Sequence, residues 1–319
     1  MTGPTVNAAL IVLTGPTAVG KTDLAIRLGE TVGGEIISAD SRQIYKLMDI
    51  GTAKPTPEQR ARLPHHLLDV VYPDQHLSLA QVKRLIDAAI EAIWARGHVP
   101  MLVGGTGQYI TAVLEGWSIP EAAPDLALRA ELEGFAAEHG IEALFQRLLE
   151  HDPDAESIVD RRNPRRIIRA LEVCLVTGQP FSAQRRKSPP PYRVLAHGLT
   201  IDRERLYAAA DRRVDQMIEA GFVDEVRALL EAGYDRSLPS MSGLGYAQLA
   251  GHLLDGLPLD QAIADTKSAT HDFIRRQYTW FRGHDHGFLW HNREDLDEAA
   301  LFESAQRWLA QQRALRQGD

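Results

Sequence analysis

The chemistry legible in this chain starts at Gly15-Pro16-Thr17-Ala18-Val19-Gly20-Lys21-Thr22, which has the spacing G-x-x-x-x-G-K-[ST]. Its glycines let the backbone curl so that successive N–H groups face inward, and the start of the following helix adds partial positive charge. Lys21 supplies a full charge, and Thr22 offers a hydroxyl to Mg²⁺. Such a loop recognises a polyphosphate by shape and charge, so a pyrophosphate ester of any organic group could sit in it. Nucleotide hydrolases place an acidic residue at the end of a hydrophobic strand to hold Mg²⁺ and water. Here the apolar run Val99–Val103 ends in Gly104-Gly105-Thr106 instead. The nearest acid at a strand end is Asp40, within Ser38-Ala39-Asp40-Ser41-Arg42-Gln43. An aspartate there can serve as a general base or cap the segment that follows.

These residues need a scaffold, and the hydrophobic pattern describes one. Ala9–Thr14, Glu35–Ser38 and Val99–Val103 read as short buried strands. Lys21–Glu30 and Leu79–Ala95 have helical apolar spacing. Strands alternating with helices imply a parallel sheet with right-handed crossovers. From about residue 120 the reading becomes helical, with Leu126–Glu138, Ile141–Glu150, Arg165–Val176 and a short helix near Phe181–Arg186. Ser188-Pro-Pro-Pro191 breaks helix and looks like a connector. Val194–Ile201 is strand-like, followed by helices at Arg205–Ala220, Asp224–Ala232 and Leu259–Arg282, a strand at Phe288–Trp290 and a closing helix near Leu296–Ala314. The expected fold is α/β: a parallel-sheet core over 1–119 and 193–319, flanked by helices, with an all-helical insertion over 120–192.

Composition narrows the class. With 319 residues, 44% apolar and 24% charged, the chain is globular and long enough for a sizeable core. No apolar run approaches the roughly 20 residues of a membrane span, and the stretch before the first strand lacks a signal peptide's basic residues. A cytoplasmic setting is expected. Cys174 lies in an apolar helical run and reads as a buried small hydrophobe. His65-His66 and His284, His286 and His291, with Asp285, lack the spacing of a zinc site. The net charge of −8 hides local basic clusters: Arg161, Arg162, Arg165, Arg166 and Arg169; Arg185, Arg186 and Lys187; Arg275, Arg276 and Arg282. Arg162, Arg165 or Arg166, and Arg169 would share a helix face suited to RNA phosphates. At this level an ATP-dependent kinase and a nucleotide-sensing RNA-binding protein both remain open.

Six ordered blocks are more specific. The Gly15–Thr22 loop, Ser38–Gln43, Gly51-Thr-Ala-Lys-Pro55, Pro64-His-His-Leu-Leu-Asp69, Gly104-Gly-Thr-Gly-Gln-Tyr109 and Arg275-Arg-Gln-Tyr-Thr-Trp-Phe-Arg282 together resemble the tRNA dimethylallyltransferase (tRNA isopentenyltransferase) family, bacterial type. The resemblance runs from about residue 9 to about 290. It implies a P-loop kinase-like core with a helical insertion that grips the anticodon arm of tRNA. It also implies transfer of a dimethylallyl group from dimethylallyl pyrophosphate to N6 of the adenosine immediately 3′ of the anticodon, with Mg²⁺. A monomer is expected. Departures are Val19 where serine is common, Gln108 after Gly-Gly-Thr-Gly, and Ala247 where a basic residue is common.

Roles follow by resemblance. Asp40, Thr106 and Arg213 become catalytic, with Arg212 the alternative to Arg213. Gly15, Pro16, Thr17, Ala18, Val19, Gly20, Lys21 and Thr22 hold the pyrophosphate, and Thr22 the metal. Asp40, Ser41, Arg42, Gln43, Thr106, Arg129, Arg165, Arg166, Arg169 and Ser242-Gly243-Leu244-Gly245-Tyr246-Ala247 contact tRNA.

Overall fold

Every residue of Ala8–Thr14 is buried, the mark of a strand covered on both faces by helices. In this computed structural model residues 8–120, 125–184, 187–188, 192–284 and 286–317 are described, the last three without their side chains. Arg185, Arg186, the three prolines 189–191 and Asp285 lie outside the described residues. The chain divides into two compact units, one of Met1–Leu114 with Pro190–Asp319, the other Glu115–Pro189.

The first unit holds strands β1 (Ala8–Thr14), β2 (Gly34–Ala39), β3 (His65–His66), β4 (Val99–Gly104), β5 (Tyr192–Thr200) and β6 (Leu289–Asn292). They form one sheet in the order β3-β2-β4-β1-β5-β6, every pair parallel. In chain order the helices are α1 (Lys21–Val32), α2 (Pro57–Arg62), α3 (Leu79–Ala95) and α4 (Gly107–Leu114), then α5 (Leu126–His151), α6 (Pro164–Thr177) and α7 (Phe181–Gln184) of the second unit. The chain then returns to the first unit through α8 (Arg203–Glu219), α9 (Phe222–Glu231), α10 (Tyr246–Asp255), α11 (Leu259–Gly283) and α12 (Glu298–Gln317).

Strand alternation sorts the core. Ala9, Ile11 and Leu13 pack with Leu24 and Leu28 of α1, Leu206 of α8 and Leu301 of α12. Leu10 and Val12, one residue out of phase, pack with Val82, Ile86 and Ile90 of α3 and Ile110 of α4. A third cluster lies off the sheet and joins Ile44, Tyr45 and Met48 to Phe222, Tyr246, Leu249 and Ala262. Parallel order places the ends of β1, β2 and β4 along one edge, where open α/β sheets present their ligands.

In the second unit α5 is divided at Gly140, whose φ of 88° and ψ of 162° are not helical. The two expected helices, Leu126–Glu138 and Ile141–Glu150, are therefore its two arms. Leu132, Leu144, Phe145 and Leu148 pack on Ile167, Ile168, Leu171 and Cys174. Chain entry and exit run side by side: Trp117 bridges Lys187, and the Ser188 N–H donates to the Gly116 carbonyl at 3.2 Å.

Candidate active site

The loop after β1 forms because its residues can take its turns. Gly15 has φ 147°, and a side chain there would meet the Leu199 carbonyl oxygen at 2.6 Å. Gly20, left-handed at φ 87°, starts α1 without a side-chain cap, leaving the first N–H groups of the helix open. Val19 points inward and joins the core. The Lys21 ammonium donates to the carbonyls of Gly15 at 3.0 Å and Pro16 at 2.7 Å. Loss of water, reinforced by the Arg213 charge and opposed by Asp40, lowers its pKa to about 7.

Asp40 follows β2. Its Oδ1 accepts the N–H groups of Arg42 at 2.8 Å and Gln43 at 3.4 Å. The carboxylate thus closes a turn, not a helix. Its Oδ2 makes no hydrogen bond among the described residues. Thr106, after β4, is tied to the same turn: its Oγ1 accepts the Ser41 N–H at 3.0 Å, and its N–H donates to the Ala39 carbonyl at 3.1 Å. That closeness requires Gly104, where a side chain would lie 2.2 Å from the Ala39 oxygen.

One cleft of about 790 Å³ gathers these loops. Thr17, Ala18, Gly20, Lys21, Thr22, Asp40, Ser41, Arg42, Gln43, Arg213, Ser242, Gly243, Leu244 and Tyr246 line it; Gly15, Pro16, Val19, Thr106, Gly245 and Ala247 do not. Of the two candidate arginines, Arg212 is exposed. Arg213 reaches the cleft, where loss of water lowers its pKa against the pull of Asp40 and Asp23. Ala210, Val214 and Met217 share its helix and line the cleft with Phe273. Thr266 and Thr270 join them, each hydroxyl donating at 2.8 Å to the carbonyl four residues earlier. That leaves their methyl groups for the cleft, so this wall is apolar.

Several tRNA candidates are already engaged within the protein. Arg42 donates to the carbonyls of Pro239 at 2.7 Å and Ser240 at 3.2 Å and to Ser242 Oγ at 3.2 Å. Gln43 accepts from Ser38 at 2.8 Å and donates to the carbonyls of Thr52 and Ala53. Tyr246 is fully buried, its hydroxyl 2.6 Å from Glu225.

Sequence reasoning assigned no role to three residues that shape this cleft. The Glu225 carboxylate accepts the N–H groups of Asp49, Ile50 and Gly51 as well as the Tyr246 hydroxyl. Lys54, buried, donates to the Tyr45 carbonyl, Asp49 and Asp69. Gln277 accepts the Thr17 N–H and donates to the Gly105 carbonyl, both at 2.9 Å. A signal existed for Gln277: it interrupts the buried stripe Ala262, Thr266, Thr270, Ile274 and Phe281 of α11 with an amide.

In the second unit the arginine cluster separates into two groups. Arg129 and Arg169 both pair with Glu172, whose side chain is buried. Burial pushes the Glu172 pKa up, but hydrogen bonds from Arg129, Arg169 and the Asp125 N–H outweigh it and hold the carboxyl below its ordinary value. Arg165 and Arg166 are exposed in the first turn of α6, where Asn163 is the cap. Arg162 precedes that cap, so it does not share a helix face with Arg169. Arg162, Arg165 and Arg166 make no side-chain ion pair among the described residues.

The donor set suits Mg²⁺. Among the described residues no three His, Cys, Asp or Glu side chains gather as a metal cluster. In a G-x-x-x-x-G-K-[ST] loop the Ser or Thr hydroxyl is a Mg²⁺ ligand, and Mg²⁺ takes much of the rest of its shell from water and substrate phosphate. Thr22 supplies that hydroxyl in the cleft.

Comparison with known proteins agrees with this architecture. A family model described as IPP transferase matches residues 43–284, and one described as isopentenyl transferase matches residues 8–69. A tRNA dimethylallyltransferase of Roseiflexus sp. is 55% identical over 273 residues, covering 86% of this chain and 90% of that protein. One from Dehalococcoides mccartyi is 45% identical over 303 residues, covering 95% and 93%. The crystal structure of a tRNA isopentenylpyrophosphate transferase from Bacillus halodurans superposes with a TM-score of 0.69 at 37% identity, covering 95% of this chain and 96% of that one. By its sequence, its fold and its cleft, this chain belongs to the IPP transferase family, that of the tRNA dimethylallyltransferases.

Proposed function

We propose that this protein transfers the dimethylallyl group of dimethylallyl pyrophosphate to N6 of the adenosine immediately 3′ of the tRNA anticodon, releasing pyrophosphate. One observation carries the reading: the diphosphate cradle, Arg213 and Asp40 share a single cleft with an apolar wall. The donor diphosphate rests against residues 15–22, and its prenyl chain against Ala210, Val214, Met217 and Phe273. As the C1–O bond lengthens, negative charge grows on the leaving diphosphate, and Lys21, Arg213 and the open N–H groups of α1 are placed to stabilise it. The Thr22 hydroxyl would hold Mg²⁺, which would supply further neutralisation of the diphosphate charge.

The acceptor nitrogen is a weak nucleophile because its lone pair is delocalised into the adenine ring. Asp40 Oδ2 takes its proton as the N6–C1 bond forms, and pyrophosphate departs with the electron pair of the broken C–O bond. An adenine in a folded anticodon loop is stacked, so it must swing out to reach the cleft, at a cost of a few kcal/mol. The cleft residues Asp40–Gln43 and Ser242–Leu244 receive it, with Thr106 holding Ser41 in place behind them. Arg165 and Arg166 contact RNA phosphates, while Arg129 and Arg169 act from positions set by Glu172. The unit 115–189 is the anticodon-arm grip, and the enzyme acts as a monomer in the cytoplasm. Among the described residues no helix is long and apolar enough to cross a membrane.

The test is to incubate the protein with Mg²⁺, labelled dimethylallyl pyrophosphate and unmodified tRNA. Label should enter RNA at that adenosine. ATP hydrolysis with no label in RNA would favour a kinase instead. Asp40→Asn keeps the turn acceptor but removes the base. It should lower the transfer rate about 10²–10⁴-fold with tRNA affinity near normal, and undiminished turnover would remove Asp40 from the chemistry.

A further inference from the structure

Three loops leave the same edge of the sheet from three different strands, and transfer requires them to agree in position. The turns after β2 and β4 are stitched directly, through Ser41 N–H to Thr106 Oγ1 at 3.0 Å and Thr106 N–H to the Ala39 carbonyl at 3.1 Å. At strand level, Thr14 Oγ1 donates to the Gly104 carbonyl at 3.1 Å. Past Thr14 the phosphate loop runs free of these stitches, and Gln277 is what reconnects it. Its Oε1 takes the Thr17 N–H and its Nε2 gives to the Gly105 carbonyl, both at 2.9 Å. Among the described residues no other side chain hydrogen-bonds both loops.

We propose that Gln277 is a positioning residue that sets the distance between the diphosphate cradle and the acceptor turn. The inference rests on the transferase reading above. A backbone N–H can only donate and a backbone carbonyl can only accept, so the amide has one permitted orientation. The side chain is buried, which makes either bond expensive to break. The second glycine of Gly104-Gly105 belongs to the same device: a side chain at Gly105 would lie 2.3 Å from Gln277 Nε2. From Gly105 the connection passes through Thr106 to Ser41 and Asp40. Gln277 itself touches neither reacting atom. It matters because a misplacement of about 1 Å between reacting partners can cost about 10²-fold in rate.

Gln277→Glu and Gln277→Met separate positioning from folding. Single-turnover transfer from dimethylallyl pyrophosphate to tRNA is measured between pH 5.5 and 8, with donor and tRNA dissociation constants and the folded fraction at the assay temperature. At pH 8 both variants should transfer about 10–100-fold more slowly, with each dissociation constant within about threefold of the unaltered enzyme. A protonated carboxyl can accept from Thr17 and donate to Gly105, whereas a carboxylate cannot donate. The rate of Gln277→Glu relative to the unaltered enzyme should therefore climb as pH falls, and that of Gln277→Met should stay flat. The clamp is overturned if the relative rate of Gln277→Glu is flat with pH, if rate loss only tracks unfolded protein, or if donor affinity weakens by the factor that rate falls. No transfer by the unaltered enzyme would overturn the transferase reading and the clamp with it.

Discussion

Lys21 shows how far the fold changes a single residue. Its pKa falls from its ordinary value of 10.5 to about 7, chiefly because burial strips water from the ammonium. Unfolded chains hold the proton up to the higher value. Between about 7 and 10.5 the unfolded state binds more protons than the folded one, and for this group stability rises with pH. A bound diphosphate favours the charged form and raises the pKa again. Donor binding above pH 7 therefore takes up a proton, and the Lys21 contribution to affinity weakens as pH climbs toward the value in the complex. Calorimetry of dimethylallyl pyrophosphate binding at pH 8, in two buffers with different ionisation heats and without tRNA, should report uptake approaching one proton per site. Lys21→Arg, charged throughout, should abolish it. Zero uptake by the unaltered protein would mean that Lys21 is already charged before the donor arrives.

At the scale of the element, α6 carries two kinds of arginine. Arg165 and Arg166 stand in its first turn, beside the positive end of the helix dipole, and have no acidic partner there. Their placement is mildly unfavourable for the helix and favourable for an anion. Arg165→Ala with Arg166→Ala should weaken tRNA binding and reduce the slope of log affinity against log salt by about 1.5, with melting little changed. Arg169 and Arg129 neutralise the buried Glu172, so Arg129→Ala should cost about 3 kcal/mol of stability in this unit. The Glu172 pKa lies below its ordinary value of 4.5 when folded. Its stabilising share is thus present above 4.5 and lost as pH falls through the folded value. Thermal melts from pH 3 to 7 should show a steeper acid loss in the unaltered protein than in the variant. Equal acid profiles would remove the Glu172 pairs from the stability of α6.

At the scale of the molecule, the cradle, Asp40, Arg213 and Gln277 all belong to the first unit, although they are spread from residue 15 to residue 277. The second unit leaves and rejoins the chain at adjacent points, marked by the Trp117–Lys187 bridge and a Glu115–Lys187 ion pair of 2.5 Å. Replacing 117–187 with a short Gly/Ser linker should leave a folded first unit that binds dimethylallyl pyrophosphate within about threefold of the full chain, an expectation drawn from the independence of separate cores. Its tRNA affinity should fall by at least about tenfold. Donor binding lost together with tRNA binding would show that the cradle depends on the second unit.

The local pattern was sufficient for the phosphate loop, for the central strands and for the helical stretch after residue 120, because turn chemistry and apolar periodicity are properties of neighbouring residues. It erred by two residues at the start of α8, which Asp202 caps so that it begins at Arg203 rather than the expected Arg205, and it passed over β3, which is two residues long and rests on pairing with β2. Pairings across the chain lay beyond it. The sequence counted five arginines as one basic run, and only the packed helices revealed that Glu172 engages Arg169 together with Arg129 from another helix. Likewise an amide at 277 meets an N–H at 17 only once the sheet has folded. A hydrogen bond depends on distance in space, and sequence separation carries almost no information about that distance until a core has formed.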